Sequence, residues 1–479
     1  MKLSELIHGV PVENRREGDP EITGLTCDTR NLKPGGLFAA LEGTRENGEG
    51  YIPLALDMGA AAVLCRRPPS VPGPWLIAED PRTAYGLLCR NWFEDPGRDM
   101  TLIAVTGTNG KTTTTYLLRE VLERVLGGKT GLIGTNGNLV GGERLPARRT
   151  TPDAYELYGL LRRMREAGCG QVVMETSSHA LAQRRTAGLS FAVGIFTNLT
   201  RDHLDYHGTM EAYQRAKSLL FRQCETGVFN LDDGAGRRFT ALCPAVTYAL
   251  RRPADVMAEG IFLGPDHVRF TARTRGGKWP VRAPIPGRFT VYNCLAVLAC
   301  CRALGLPLGE AAEALSHASG IRGRAEAVPV PAPFTVIIDY AHTPDALEKI
   351  LTALRDGVRG RLVCLFGCGG DRDQSKRPVM GEIAAELADQ VILTSDNPRS
   401  EDPETILDQI EAGFPPGFSD YVRQSDRRKA IRFALGQGRA GDVILLAGKG
   451  HEDTQEIGGR RIHLDEREEI ASFFASNAL

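Results

Sequence analysis

Residues 103–118 read IAVTGTNGKTTTTYLL, and the order of residue types here decides how the chain is built. An apolar β-type run ends in Thr106-Gly107, a short glycine loop follows, and Lys111-Thr112 opens a helix-like segment. A strand, loop and helix in this order aim successive backbone N–H groups and a helix N-terminus at one point, which makes a cradle for an anion. A lysine at this position reaches the β- and γ-phosphates of a nucleotide, and the hydroxyl after it is placed to ligate Mg²⁺. The common phosphate loop has a glycine five residues before its Gly-Lys pair. Here that position is Val105, so the loop is a shortened variant running Gly107-Thr108-Asn109-Gly110-Lys111-Thr112-Thr113.

Outward from this loop, apolar runs alternate with helix-period segments nearly throughout, the pattern of an α/β architecture with largely parallel sheets. At 479 residues the chain is too long for one core. Two polar, Pro- and Gly-bearing breaks, FEDPGRDMT (93–101) and GIRGRAEAVPVPAP (320–333), predict three domains at 1–98, 99–325 and 326–479. A net charge of −1 carries no footprint for nucleic acid or a membrane surface. No apolar run is long enough to cross a bilayer, and the opening MKLSELIHGVPVENRREGD has no secretory apolar core. Eleven scattered cysteines without a CxxC pair argue against disulfides and zinc, so reduced thiols in a cytoplasmic protein are expected. Only ten of the 58 basic residues are lysines. Where this chain keeps a lysine, a compact amine is expected to matter beyond its charge.

Two further strand ends extend the phosphate site. QVVMETSSHAL (171–181) is an apolar run ending in Glu175, where a second magnesium-directed carboxylate belongs. FTNLTRDHLDYHG (196–208) sets Asp202, His203, Asp205 and His207 beside another strand end. Oxygen and imidazole donors next to nucleotide phosphates fit Mg²⁺ or Mn²⁺ better than zinc. In YQRAKSLLF (213–221), Lys217 falls on a helix face beside apolar residues, a place where a snorkelling lysine is also at home.

Taken in order, TGTNGKTT, METSSHAL, TNLTRDHLDYHG, AKSLLF, GRFTVYN (287–293), DYAHTPDAL (339–347), GCGGDRDQSKRP (367–378), DNPR (396–399) and LLAGKGHED (445–453) resemble the Mur ligase family, with CDTR (27–30) extending the likeness towards the N-terminus. The resemblance implies an ATP-dependent amide-bond ligase. Its three domains would be a small N-terminal α/β UDP-binding domain, a central P-loop ATPase-like domain with a mainly parallel sheet, and a C-terminal Rossmann-like domain carrying the incoming amino acid. The implied reaction activates the D-Glu γ-carboxylate of UDP-N-acetylmuramoyl-L-alanyl-D-glutamate as an acyl phosphate, which an amine then attacks. The resemblance also implies site residues. Lys111, Glu175, His203 and Lys217 would be catalytic, with Thr112, Glu175, His203 and a carbamylated Lys217 holding Mg²⁺. Asn293, Arg324, Asp339 and His342 would complete the ATP site. Thr29, Thr44, Arg45 and Glu46 would meet the uridine, and Arg149, Thr150, Thr151, Ser177, Gln183 and Arg185 the sugar-peptide. The sequence departs from the family pattern at Thr44-Arg45-Glu46, at Arg149 and at Arg322.

In VILTSDNPRSEDPE (391–404) an apolar strand stops at an acid, an amide, a proline and an arginine. Turn chemistry explains Asn397-Pro398 but not Arg399. Some members of the family add L-lysine and others meso-diaminopimelate, which carries an extra amino-acid centre. A planar guanidinium suits the distal carboxylate of that centre. Arg399, with Asp396, Asn397 and Pro398, is therefore expected to select diaminopimelate, and Arg372, Gly448 and Glu452 match other residues around the same amino acid. The expected protein is a monomer acting on these small molecules and ATP, without nucleic-acid or membrane partners.

Overall fold

The computed structural model describes residues 1–15, 17–43, 46–68 and 73–476. The chain packs as two compact units, Met1–Asp255 with Ala296–Pro307, and Val256–Leu295 with Leu308–Leu479.

The first unit holds two sheets. The N-terminal sheet has strands in the order Glu13–Asn14, Trp75–Ile77, Ala62–Cys65, Leu37–Ala39, Leu25–Thr26, parallel except for the first. The central sheet centres on Thr101–Thr106, which runs parallel to Cys169–Glu175 on one side and Phe191–Phe196 on the other. Beyond these lie Lys129–Ile133 and, on the opposite side, Cys224–Asn230 and Ala245–Ala249, all parallel. Ile103, Ala104 and Val105 are wholly buried, as a strand covered on both faces must be, and this explains the unbroken apolar run. Val105 pairs with Glu175 and with Ile195, so the position that lacks the usual loop glycine is a core strand residue.

Parallel pairing fixes where chemistry collects. Residues 106, 175 and 196 end their strands nearly level with one another, so the segments leaving them lie along one edge of the sheet. Helix Lys111–Leu126 starts at that edge behind Gly110, whose φ of 83° is a left-handed value. It stops at Gly127, φ 68°, whose N–H bonds Glu123 O.

The second unit contains an antiparallel meander, Val256–Leu263, Val268–Thr274 and Gly277–Ala283, and the C-terminal sheet. In that sheet Thr335–Asp339, Val443–Ala447, Leu362–Phe366, Gln390–Leu393 and Tyr421–Arg423 are parallel neighbours in this order, with Glu326–Val328 antiparallel at one edge. This register brings Asp339, Gly448 and Asp396 to the carboxyl ends of their strands, where ligands bind in open α/β sheets.

Two fully buried arginines fasten those strand ends. Arg427 donates to Ser395 O at 3.1 Å and to Ala447 O at 2.8 Å, and pairs with the equally buried Glu466 at 2.7 Å. Arg377 forks onto Glu401 at 2.8 and 3.0 Å and donates to Gly369 O at 3.1 Å. Removing one partner of a buried pair leaves an unmatched charge, which costs far more than the pair contributes. Arg427→Met is therefore expected to destabilise the protein by about 3–5 kcal/mol in urea unfolding, with Arg427→Met/Glu466→Leu regaining most of it. Burial already raises the Glu466 carboxyl above its usual range, against the opposing Arg427. A group raised in the folded state loses stability as pH rises, so the deficit of the single variant should grow as pH rises above the ordinary glutamate value of about 4.3.

Candidate active site

The phosphate loop is rigid because residues 197–200 strap it. Thr108 N–H donates to Asn198 O (2.8 Å), Asn109 N–H to Asn198 Oδ1 (3.0 Å), and the Thr197 hydroxyl to Asn109 O (2.6 Å). Gly107 has a φ of 152°, and a Cβ there would overlap the Thr197 hydroxyl. Lys111 curls over the loop, its Nζ donating to Gly107 O at 2.9 Å and Thr108 O at 2.8 Å. Thr112 and Thr113 begin the helix, both largely buried.

Lys217 lies under the same loop. It is 1 % exposed, and its Nζ donates to Gly107 O at 2.8 Å and sits 4.4 Å from the centre of the Tyr213 ring. Burial, and next the charge of Lys111, hold its ammonium far below the usual lysine range. Glu175 is equally buried. Its carboxylate accepts the Thr135 N–H at 2.9 Å and the Thr135 hydroxyl at 3.1 Å, and Thr135 bonds Thr150 Oγ1 at 3.1 Å.

His203 is 45 % exposed and has a left-handed φ of 52°, an uncommon conformation for a residue with a Cβ. Its ring lies 4.9 Å from that of His179, which in turn packs on Tyr206 and His207. His179 carried no signal in the sequence; burial, followed by its cationic neighbours, pulls it down to about 4. Asp202 stands 3.5 Å from His203, whereas His207 turns to the Ser178 hydroxyl at 2.9 Å. Among the described residues no three His, Cys, Asp or Glu side chains converge as a ready metal cluster.

Beside this edge opens a cavity of about 1010 Å³, lined by the N-terminal sheet's loops and by Arg149, Gln183 and Arg185. Arg185 donates to Thr151 O (2.8 Å) and Gln183 Oε1 (2.7 Å), and Thr151 Oγ1 bonds both Glu175 O (2.9 Å) and Ser177 N–H (3.0 Å). Thr151, Ser177, Gln183 and Arg185 are thus one linked set running from the cavity to Glu175. Thr29 is buried next to lining residues Asp28 and Arg30, and Glu46 is exposed and accepts the Tyr51 hydroxyl at 2.6 Å. Thr44 and Arg45 lie outside the described residues. Arg30, Arg82, Arg148 and Arg184 also line the cavity, so basic side chains outnumber acidic ones. Sequence reading singled out none of these four, because arginine is common throughout the chain.

The second unit carries the remaining residues. Asn293 is buried in helix Arg288–Ala303. Asp339 accepts the N–H groups of Ala325 (2.6 Å) and Ala341 (2.8 Å), and burial pushes its carboxyl up. Arg324 lies over the Tyr340 ring, and the His342 ring sits against Tyr340 O at 2.8 Å. Arg399 has a φ of 53° and joins the strand Thr454–Ile457 by backbone bonds to Glu456 O (2.9 Å) and from Gly458 N–H (2.6 Å). Its guanidinium donates to Gly370 O at 2.7 Å and lies 3.6 Å from Glu456. Asn397 Nδ2 donates to Glu452 Oε2 at 3.0 Å, and Gly448, φ 113°, passes beside the Asp396 carboxylate. Pro398 is buried, while Arg372 is exposed on the neighbouring 369–372 loop. Asp396, Asn397, Arg399, Gly448 and Glu452 therefore lie together beyond strand ends of the C-terminal sheet.

Comparison with known proteins agrees with this geometry. Family models described as "Mur ligase family, catalytic domain", "Mur ligase middle domain" and "Mur ligase, glutamate ligase domain" match residues 21–83, 105–301 and 323–450. UDP-N-acetylmuramoyl-L-alanyl-D-glutamate--2,6-diaminopimelate ligases of Geobacillus thermodenitrificans and Synechococcus elongatus are 43 % and 46 % identical, over 98 % of this chain and 98 % of each relative. The chain belongs to the Mur ligase family. A solved structure of a ligase with that same name superposes with a TM-score of 0.75 at 33 % identity, covering 100 % of this chain and 99 % of that one. The Mur ligase architecture of three α/β domains with mainly parallel sheets is what the strand orders describe. Within this Mur ligase, Gly107 is a loop position with no room for a side chain. Gly107→Ala is expected to weaken ATP binding at least tenfold, about 1.4 kcal/mol, in titration calorimetry, with the overall circular dichroism kept.

Proposed function

We propose that this chain joins the amine of meso-2,6-diaminopimelate to the D-Glu γ-carboxylate of UDP-N-acetylmuramoyl-L-alanyl-D-glutamate, forming ADP and phosphate, as a cytoplasmic step of peptidoglycan synthesis. The observation that carries this reading is Arg399, fixed by a strained backbone and a strand bridge at the sheet edge that also bears Asp396, Asn397 and Glu452. Full-length similarity to named diaminopimelate ligases supports it.

The first step brings a carboxylate to the γ-phosphorus of ATP, an anion meeting an anion. Lys111, at the mouth of the loop, offsets that repulsion by exchanging its loop carbonyls for phosphate oxygens. The carboxylate oxygen bonds to phosphorus and ADP leaves. The diaminopimelate amine then attacks the acyl carbon, loses its proton, and the tetrahedral intermediate expels phosphate. Arg185, Gln183, Ser177 and Thr151 orient the acceptor, since they link the basic cavity to the phosphate edge.

The chemistry of Glu175 suits Mg²⁺. Glu175 is a buried carboxylate met only by the N–H and hydroxyl of Thr135 among the described residues, with no basic side chain in pairing range. Thr112, Glu175 and His203 would hold it, with Lys217 as a carbamate, and oxygen-rich donors of this kind suit a hard cation. The ion would neutralise phosphate charge as it develops. Lys217 is suited to carbamylation because burial, and next the charge of Lys111, lower its proton affinity, which favours the neutral amine that adds CO₂. Protein equilibrated with ¹³C-bicarbonate should show a carbamate carbon resonance that Lys217→Arg lacks.

Phosphate release with ATP and the UDP-dipeptide should depend on meso-diaminopimelate and be at least a hundredfold slower with L-lysine. Equal rates would sink the specificity argument, and no release with either amine would sink the ligase. Arg399→Ala should lower kcat/KM for diaminopimelate by about 1–3 kcal/mol, roughly ten- to hundredfold, because the distal carboxylate is left unmatched.

A further inference from the structure

Lys449 has no part in the phosphoryl and acyl transfers, yet it is the most completely buried cation of the amino-acid pocket. Its side chain is 0 % exposed, and Nζ lies 2.9 Å from Glu452 Oε2, 3.1 Å from Asn397 Oδ1 and 3.7 Å from Asp396 Oδ1. Glu452 Oε2 in turn accepts Asn397 Nδ2 at 3.0 Å. Asp396 is only 7 % exposed, and its Oδ1 is buried without a hydrogen-bond partner. The amine hydrogen-bonds one carboxylate and stands only as a longer ion pair, 3.7 Å, to the other, whose Oδ1 has no hydrogen-bond donor. A buried carboxylate oxygen with no donor is costly unless a ligand supplies one.

We propose that Lys449 is a positioning and specificity-determining residue, which neutralises Glu452, fixes Asn397, and so leaves the Asp396 carboxylate as the seat for a single ammonium group at the distal end of the amino-acid substrate. The proposal rests on the diaminopimelate reading and extends it from the distal carboxylate, read by Arg399, to the distal amine. A compact three-donor ammonium meets Glu452 and Asn397 from one point while standing 3.7 Å from Asp396, which a planar guanidinium does not do. Without it, Glu452 and Asp396 lose the cation they share, and Asn397 Oδ1 keeps only the Glu456 N–H at 3.0 Å. The ammonium seat is then no longer defined.

The test compares kcat/KM for meso-diaminopimelate and for 2-aminopimelate, which keeps the reacting amine and both carboxylates but lacks the distal amine. The unaltered enzyme should favour diaminopimelate. Lys449→Met and the milder Lys449→Gln should lose at least tenfold of that preference, through KM for the amino acid, while KM for ATP and for the UDP-dipeptide stays within twofold. A folded variant with the preference kept or increased overturns the proposal. So does the loss of a cooperative melt in both variants, which would assign Lys449 to stability alone. Absence of diaminopimelate-dependent phosphate release in the unaltered enzyme would instead refute the proposed function.

Discussion

The carbonyl oxygen of Gly107 receives two lysine amines, Lys111 at 2.9 Å and Lys217 at 2.8 Å. Two ammonium groups that close together repel, and only one of them reaches solvent. Burial, and next the charge of Lys111, hold the proton affinity of the buried one far below the usual lysine range, so the two amines on this oxygen are not equivalent. This division depends on Gly107 having no side chain, because any Cβ would push the loop away from Thr197 and pull the shared carbonyl off its position. The helix start at Lys111 and the placement of Lys217 both refer back to that one oxygen, while the strap of residues 197–200 holds the Thr108 and Asn109 backbone beside it.

Both units share one layout. Parallel strands end on one edge, and the candidate functional groups sit at or just beyond those strand ends. In the first unit the strand ends deliver the loop, Glu175 and the 197–203 segment. In the second they deliver Asp339, Gly448 and Asp396, and there the edge is locked from behind by Arg427, whose guanidinium holds the carbonyls of Ser395 and Ala447. A guanidinium suits that task because its planar fork spans two separate strands. The spacing between Asp396 and Gly448, given by the parallel register, is thus braced by one side chain that lies far from both in the sequence.

Much of this was legible in the sequence. The strand-loop-helix at 103–118 is local, and local patterns of period and turn chemistry survive folding. Asp396-Asn397-Pro398-Arg399 was legible because proline and a charged residue at a strand end conflict with continued pairing. What sequence reading missed is long-range. Arg377 with Glu401, Arg427 with Glu466, and Lys449 with Asn397 pair across tens of residues, and nothing in the neighbouring residues marks them. The left-handed backbone of His203 and Arg399 was equally hidden, since the residue types there give no warning of a positive φ. The arginines lining the acceptor cavity were lost in an arginine-rich background.

That background also held a usable signal. Where 48 of 58 basic residues are arginine, a lysine marks a position at which the guanidinium is the wrong shape. Most of the ten remain on or near the surface, but the two that are fully buried, Lys217 and Lys449, both lie at functional edges. Lys217 lies against an aromatic ring under a glycine loop, where an amine can lose its proton and a guanidinium cannot. Lys449 meets two acceptors and a more distant carboxylate from one point. In both places a compact amine fits where a planar guanidinium does not, and the bias towards arginine elsewhere is what makes those two positions stand out.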